Sequence, residues 1–115
     1  MKWTDIWHKP FKYDHYGYIW DVDNVMVFTV EDLTEANDRE MAELCGDIVA
    51  VLNGEDHQRQ WDLQVKDGCD IYRGEEFLGS FRGWGFLRGV LKLTPEDAAA
   101  TQDQLIAFVL DKLAK

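Results

Sequence analysis

The residues best suited to binding a ligand lie together in one glycine-rich segment, from Arg82 to Gly89. Guanidinium groups at Arg82 and Arg88 can bind phosphates or carboxylates, and the rings of Trp84 and Phe86 can stack on a nucleobase. Glycines on both sides of Trp84 permit backbone angles that other residues avoid. The segment therefore suggests a site for a nucleotide or single-stranded nucleic acid. A glycine-kinked strand whose aromatic rings fill the core explains the same residues, and it is favoured because aromatic side chains are more often core than site.

A second candidate surface is acidic and lies on a predicted helix. Between Trp20 and His57, eleven acidic residues against one base, Arg39, give −10, which equals the formal net charge of the whole chain. The predicted partner-binding residues are Glu35, Asp38, Glu43 and Asp47, because residues three or four apart share one helix face. Two interpretations stay open. The surface either binds a basic partner, with a charge spacing that imitates phosphates, or only keeps the protein soluble.

Motifs for catalysis or for metal binding are hard to find in this chain. His8, His15 and His57 have no paired or helical spacing to another metal ligand. The turn Asp21–Asn24 resembles a calcium loop only at its start, since Met26 stands where such a loop needs glycine. We therefore expect no catalytic residue, no metal site and no cofactor, and an enzyme is less favoured than a binding protein.

Length and composition indicate one acidic domain. The chain has 115 residues, enough for a single core, with 22 acidic residues against 12 basic ones. A duplex-DNA-binding protein needs a basic face, so this balance argues against one. No apolar run approaches the roughly 20 residues that cross a membrane, and no secretory signal is visible. Two cysteines, Cys45 and Cys69, are too few for a disulfide framework, so we expect free thiols in a cytoplasmic protein.

Hydrophobic periodicity predicts a hairpin, a helix, a three-strand meander and a second helix. The predicted strands cover residues 16–20, 25–30, 61–66, 69–72 and 77–82. The first helix starts near Asp32 or Thr34 and ends at Asn53-Gly54, and the second starts at Thr94-Pro95 and closes the chain. This order predicts an α+β fold, ββ-α-βββ-α, in which an antiparallel sheet carries two helices packed on one face.

Two segments of the chain carry a family resemblance. They are Trp7 to Asp14 with the hairpin through Asn24, and Arg82 to Gly89 followed by Thr94 to Asp103. Both are similar to small uncharacterised proteins that bacterial phages and related mobile elements encode. Asn24 stands where those proteins usually carry a turn glycine, and asparagine still suits a hairpin. The resemblance implies a phage or mobile-element origin and nominates no catalytic residue.

These patterns together favour a non-enzymatic interaction protein of phage or mobile-element origin. We expect it to bind a host macromolecule, most simply a protein, through the acidic surface, and an inhibitor of a nucleic-acid-handling system fits this class. The alternative is a nucleotide or single-stranded nucleic-acid binding module that uses the segment from Arg82 to Gly89, although the net charge disfavours nucleic acid. A small enzyme is the second alternative, and no membrane partner is expected.

Overall fold

The computed structural model of the protein describes residues 2–31, 38–67, 70–82 and 94–115. After a short 3-10 helix at Trp3–Asp5, the elements of these residues are β1 (Lys12–Tyr13), β2 (Tyr18–Trp20), β3 (Met26–Glu31), α1 (Asp38–Leu52), β4 (Gln64–Lys66), β5 (Asp70–Arg73), β6 (Glu76–Arg82) and α2 (Pro95–Leu113). The predicted α+β class, with an antiparallel sheet and two helices, is confirmed.

Most strand boundaries lie within two residues of the prediction, and two differences are larger. The first is β1, a strand that the predicted order lacks; its two residues pair with Ile19 and Trp20 of β2 and are too few to show a period in the sequence. The second is the strand predicted from Trp61, which begins only at Gln64. The N–H of Trp61 donates instead to the carbonyl oxygen of Leu113, at 2.7 Å, so the residues before β4 run to the end of α2.

One six-stranded sheet joins the two halves of the chain. The strand order is β1-β2-β3-β6-β5-β4, so the last strand of each half, β3 or β6, lies at the centre. These two strands are antiparallel, with Thr29 opposite Arg82 and Glu31 opposite Ser80. Each half contributes three strands followed by a helix, so the two halves follow the same plan in space.

Tight turns occur where the turn residues predict them. Asn24 has a φ of 60° between β2 and β3, and Gly74 has a φ of 64° between β5 and β6. The chain leaves α1 through Gly54, whose φ of 75° stops the helix. Asp67, with a φ of 56°, begins the predicted turn before β5, whose Gly68 lies outside the described residues. Left-handed backbone at these four positions explains why glycine, asparagine or aspartate stands there.

The two helices begin and pack as their sequences indicate. The hydroxyl oxygen of Thr94 accepts a hydrogen bond from the N–H of Asp97 (3.1 Å), which confirms the predicted start of α2 with Pro95 in its first turn. The predicted start of the first helix, at Asp32 or Thr34, lies outside the described residues. Neither described helix is long and apolar enough to cross a membrane.

A single apolar core lies between the helices and the sheet. The buried stripe predicted for α1 is confirmed at Met41, Leu44, Ile48 and Leu52. The same core takes Leu105, Val109 and Leu113 from α2, and Ile19, Phe28, Ile71 and Leu78 from the strands. Both helices are therefore held by the same buried surface, because the removal of apolar area from water is the main favourable term in folding.

The carboxylate of Asp14 organises the turn between β1 and β2. Its Oδ1 accepts hydrogen bonds from the backbone N–H groups of Tyr16 (2.9 Å) and Tyr18 (3.2 Å), and its Oδ2 accepts one from the indole Nε1 of Trp20 (3.1 Å). The three rings follow one another along the strand, with centroids 6.0 and 6.2 Å apart. Burial raises the pKa of Asp14, but these hydrogen bonds and the charge of His15 lower it more, so its pKa lies below the ordinary 3.8.

The first prediction concerns the pH dependence of stability at Asp14. A pKa that is lower in the folded state means that Asp14 stabilises the fold above pH 3.8, and that this contribution disappears as the pH falls through the folded pKa. Asp14→Asn should therefore lower the urea midpoint at pH 6 and change it much less near pH 2.5. The exposed Asp62→Asn is the control. A deficit of equal size at both pH values would contradict this assignment.

The second prediction separates two glycines that both have positive φ. A Cβ on Gly17 (φ 83°) would overlap the carbonyl oxygen of Val30, whereas one on Gly74 (φ 64°) meets no atom within 4 Å. Gly74→Ala should cost about 1–2 kcal/mol of unfolding free energy from its backbone angle alone. Gly17→Ala adds a clash with backbone and should cost about 3 kcal/mol or more. Urea titration of both variants measures the difference, and equal costs would show that the Val30 carbonyl moves away freely.

Candidate functional site

The predicted acidic surface is only partly available for a partner. Glu35 lies outside the described residues, and Asp38 is the first residue of α1, with a side chain that the structure does not describe. Glu43 is half-buried and Asp47 is buried, with 3% of its surface exposed. In the described part of the chain, α1 therefore carries Asp38, Glu43 and Asp47, and the carboxylates of Glu43 and Asp47 have very different surroundings.

Asp47 binds within the protein rather than at its surface. Its carboxylate accepts hydrogen bonds from the backbone N–H groups of Gln58 (2.9 Å) and Arg59 (3.2 Å), and from the indole Nε1 of Trp61 (2.6 Å). The loop after α1 thus folds back and covers this carboxylate. The expectation that Asp47 contacts a partner needs correction for this reason, since a buried carboxylate with three donors has a structural task.

Arginines of α1 itself and of later parts of the chain pair with two further carboxylates of α1. Arg59 Nη1 lies 2.7 Å from Glu43 Oε2, and Arg39 Nε lies 3.7 Å from Glu43 Oε1. Glu40 accepts a hydrogen bond from the guanidinium of Arg73, the last residue of β5, which also donates to Glu76 at 2.8 Å. The negative charge that the sequence concentrates on this helix is therefore balanced in part by the fold.

An open groove runs along the outer side of α1, and we name it the α1 groove. Its volume is about 610 Å³, and its floor is formed by Ala42, Gly46 and Ala50, which follow one another at four-residue intervals. Tyr13 closes one side, where its hydroxyl lies 3.6 Å from the position that a Cβ on Gly46 would take. The loop of residues 55–59 borders the groove as well.

The border of the α1 groove carries the exposed charges. The carboxylates that line it are Glu43, Asp47, Glu55 and Asp56, and the guanidiniums are Arg39 and Arg59. In the described part of the chain, Glu55 and Asp56 form no ion pair, and both are exposed. These two carboxylates were not among the predicted site residues, because they follow the helix rather than belong to its periodic face.

The second predicted site lies almost wholly outside the described residues. Arg82 is the last residue of β6, opposite Thr29 of β3, and the structure does not describe its side chain. Trp84, Phe86 and Arg88 fall in the segment that is not described. Nucleotide or single-stranded nucleic-acid binding through these residues therefore stays a prediction.

A cluster that the sequence did not suggest lies near the N-terminus. One potential ligand atom from each of His8, Asp21 and Asp23 lies within 4.8 Å of the other two, and such nitrogen and oxygen donors suit a divalent transition metal. The buried Asp21, however, already accepts the N–H groups of His8 (3.2 Å), Asp23 (2.9 Å) and Val25 (3.0 Å). Asp21 therefore joins the N-terminal segment to the β2–β3 turn. His8 and Asp21 are 13 residues apart, so no local sequence pattern predicts this contact.

Cys45 is a packed side chain and not a nucleophile. It is buried on α1, where burial and, to a smaller extent, the charge of Asp14 raise the pKa of its thiol to about 12. A thiol with such a pKa is protonated at neutral pH and reacts poorly. The interpretation of Cys45 as a small apolar residue with a free thiol is confirmed, and Cys69 lies outside the described residues.

The third prediction tests the structural task of Asp47. Asp47→Ala leaves three N–H donors without their acceptor and should lower the unfolding free energy by about 2–4 kcal/mol. Asp62→Ala, at an exposed position, should stay within about 0.5 kcal/mol of the wild type. Urea denaturation gives both values, and hydrogen exchange of the Trp61 indole should accelerate in Asp47→Ala. Two variants of equal stability would contradict this assignment.

Comparison with protein-family models, with characterised proteins and with solved structures gives no match for this chain. What the protein does must therefore be inferred from the side chains of its described residues.

Proposed function

We propose that the protein is a non-enzymatic binding protein that takes an arginine- or lysine-bearing segment of a partner protein into the α1 groove. The observation that carries this proposal is the pair of exposed, unpaired carboxylates of Glu55 and Asp56 beside a groove whose floor has only small side chains. A phage or mobile-element origin and a cytoplasmic location belong to the same proposal.

The floor of the groove supports binding of a long side chain. Ala42, Gly46 and Ala50 project at most a methyl group each, so a partner can approach the backbone of α1 closely. Tyr13 is 43% exposed at the side of the groove, and the face of a tyrosine ring attracts a guanidinium or ammonium group. An arginine or lysine that lies in the groove thus meets a ring and, beyond it, carboxylates.

The charges around the groove favour the same occupant. Arg59 is already paired with Glu43, and the side chain of Arg39 is 95% exposed with only a 3.7 Å contact to Glu43. Neither arginine is paired with Glu55 or Asp56 in the structure. The formal net charge of −10 also attracts a basic partner over a longer range and repels an acidic one.

The fourth prediction compares two double variants of equal net charge. Glu55→Lys with Asp56→Lys reverses the charge beside the groove, and Asp62→Lys with Asp103→Lys makes the same change at exposed positions elsewhere. If the proposal holds, the groove variant should lose about tenfold or more of its affinity for the partner, because like charges then face the bound segment. The matched control should retain the affinity, since it has the same net charge.

The measurement is quantitative recovery of partner proteins from bacterial lysate, followed by titration of the purified partner. Gly46→Leu, which fills the floor without changing the charge, should weaken binding as well. Equal loss in the two charge variants would assign binding to net charge alone and exclude the α1 groove. Recovery of an acidic partner, or full binding by Gly46→Leu, would also contradict the proposal.

A further inference from the structure

A second cavity, separate from the α1 groove, lies where the N-terminal segment meets the end of α1 and the side of α2. We name it the N-terminal pocket. Its volume is about 590 Å³, within the usual range for small-molecule sites. Its apolar walls come from the rings of Trp3, Trp7, Phe11 and Phe108 and from the aliphatic side chains of Val51 and Leu52.

The rings of this pocket support one another in fixed positions. The ring centroids of Trp3 and Phe108 are 5.3 Å apart, and those of Trp3 and Phe11 are 6.4 Å apart, with tilted planes in both pairs. The backbone N–H of Phe11 donates to the side-chain oxygen of Asn53 at 2.6 Å, and the amide of Asn53 donates back to the Phe11 carbonyl at 3.1 Å. The aromatic wall is thus attached to the end of α1 before any ligand binds.

Trp7, which lines the pocket, carries a buried indole N–H without a hydrogen-bond partner among the described residues. Its indole is 1% exposed, and in the described part of the chain its Nε1 is the one buried side-chain nitrogen or oxygen without a hydrogen-bond partner. The buried or half-buried indoles of Trp20 and Trp61 both donate to carboxylates, those of Asp14 and Asp47. A buried donor without an acceptor is unfavourable and uncommon. Because Trp7 is one of the lining residues, a ligand that carries an acceptor satisfies this donor once the indole moves slightly.

The charged groups at the border of the pocket are basic although the protein as a whole is acidic. Lys9 lines the pocket and forms no ion pair with any described residue, and its Nζ lies 3.9 Å from the position that a Cβ on Gly54 would take. Lys112 is not itself a lining residue, but its Nζ lies 5.9 Å from the centroid of the Phe108 ring, which is one. His8 also lines the pocket, but it faces the carboxylate of Asp23 at 3.7 Å. The border therefore complements one negative charge.

We propose that the N-terminal pocket binds a small aromatic monocarboxylate. The aromatic body lies against the rings of Trp3 and Phe108, and the carboxylate pairs with Lys9 and accepts the indole N–H of Trp7. Because protein atoms cover this nitrogen, the Trp7 indole must move slightly for the carboxylate to reach it. The proposal is independent of the α1 groove, so each can fail without the other.

The test uses 2-naphthoate as the probe and 2-naphthamide, of the same shape without the charge, as its comparison. Calorimetry gives the affinities, and nitrogen–proton NMR follows the five indole N–H signals, with that of Trp7 assigned by Trp7→Phe. We expect 2-naphthoate to bind about fivefold or more tightly than the amide, and the Trp7 signal to shift more than the other indole signals.

Two variants locate the charge and the donor. Lys9→Gln should remove most of the preference for the carboxylate, whereas Lys66→Gln, a lysine of β4 on the other edge of the sheet, should leave it unchanged. Trp7→Phe keeps an aromatic ring and should weaken 2-naphthoate more than 2-naphthamide. Equal affinities for the two probes, equal effects of the two lysine variants, or shifts confined to other indoles would each overturn the proposal.

Discussion

The buried carboxylate of Asp47 is the interaction on which the shape of the outer side of α1 depends. A charged oxygen pair inside a protein is tolerated only when donors surround it, and here two backbone N–H groups and the Trp61 indole do so. The same bonds fix the path of the chain after the helix. They place the loop that carries Glu55 and Asp56 along the groove. The buried carboxylate of Asp47 therefore positions two exposed carboxylates.

A second constraint acts through Asp21 and Asn53, which hold the N-terminal segment to the rest of the fold. Asp21 binds the backbone of His8, and Asn53 binds the backbone of Phe11 on both its N–H and its carbonyl. These two anchors hold the segment from Trp3 to Phe11, which lines one side of the N-terminal pocket. In this irregular segment, polar side chains supply the hydrogen-bond partners that buried backbone groups need. In the sheet, neighbouring strands supply them.

Local signals in the sequence were sufficient for most of the fold but for little of the site. Asn24, Gly74 and Gly54 mark their turns because left-handed backbone restricts which residues can stand there. The stripe through Leu44 and Ile48 is visible because a helix repeats every 3.6 residues. These are properties of neighbours in sequence, and the start of α2 follows from the same kind of pattern. The pairing of β3 with β6 does not, because it joins residues far apart in the chain.

The site depends instead on pairs of residues that lie far apart in the chain. Nothing near Asp47 in the sequence distinguishes it from Glu43, yet the Trp61 indole donates to Asp47 and the Arg59 guanidinium pairs with Glu43. The preference of Arg73 for Glu40 is equally invisible, since an acidic segment offers many possible partners. The charge pattern of the sequence predicted an acidic surface. The path of the loop after α1 decides which of its carboxylates stay exposed and without an ion pair.

The outermost strands have a consequence for how copies of this protein behave at high concentration. The edges of the sheet are β1, with two residues, and β4, with three, and each carries a lysine, Lys12 or Lys66. Short edge strands offer a neighbouring chain few backbone donors and acceptors for further strand pairing, and their lysines repel one another. Natural sheets avoid aggregation in this way. The molecule therefore has a six-stranded sheet whose edges are poorly suited to fibre growth.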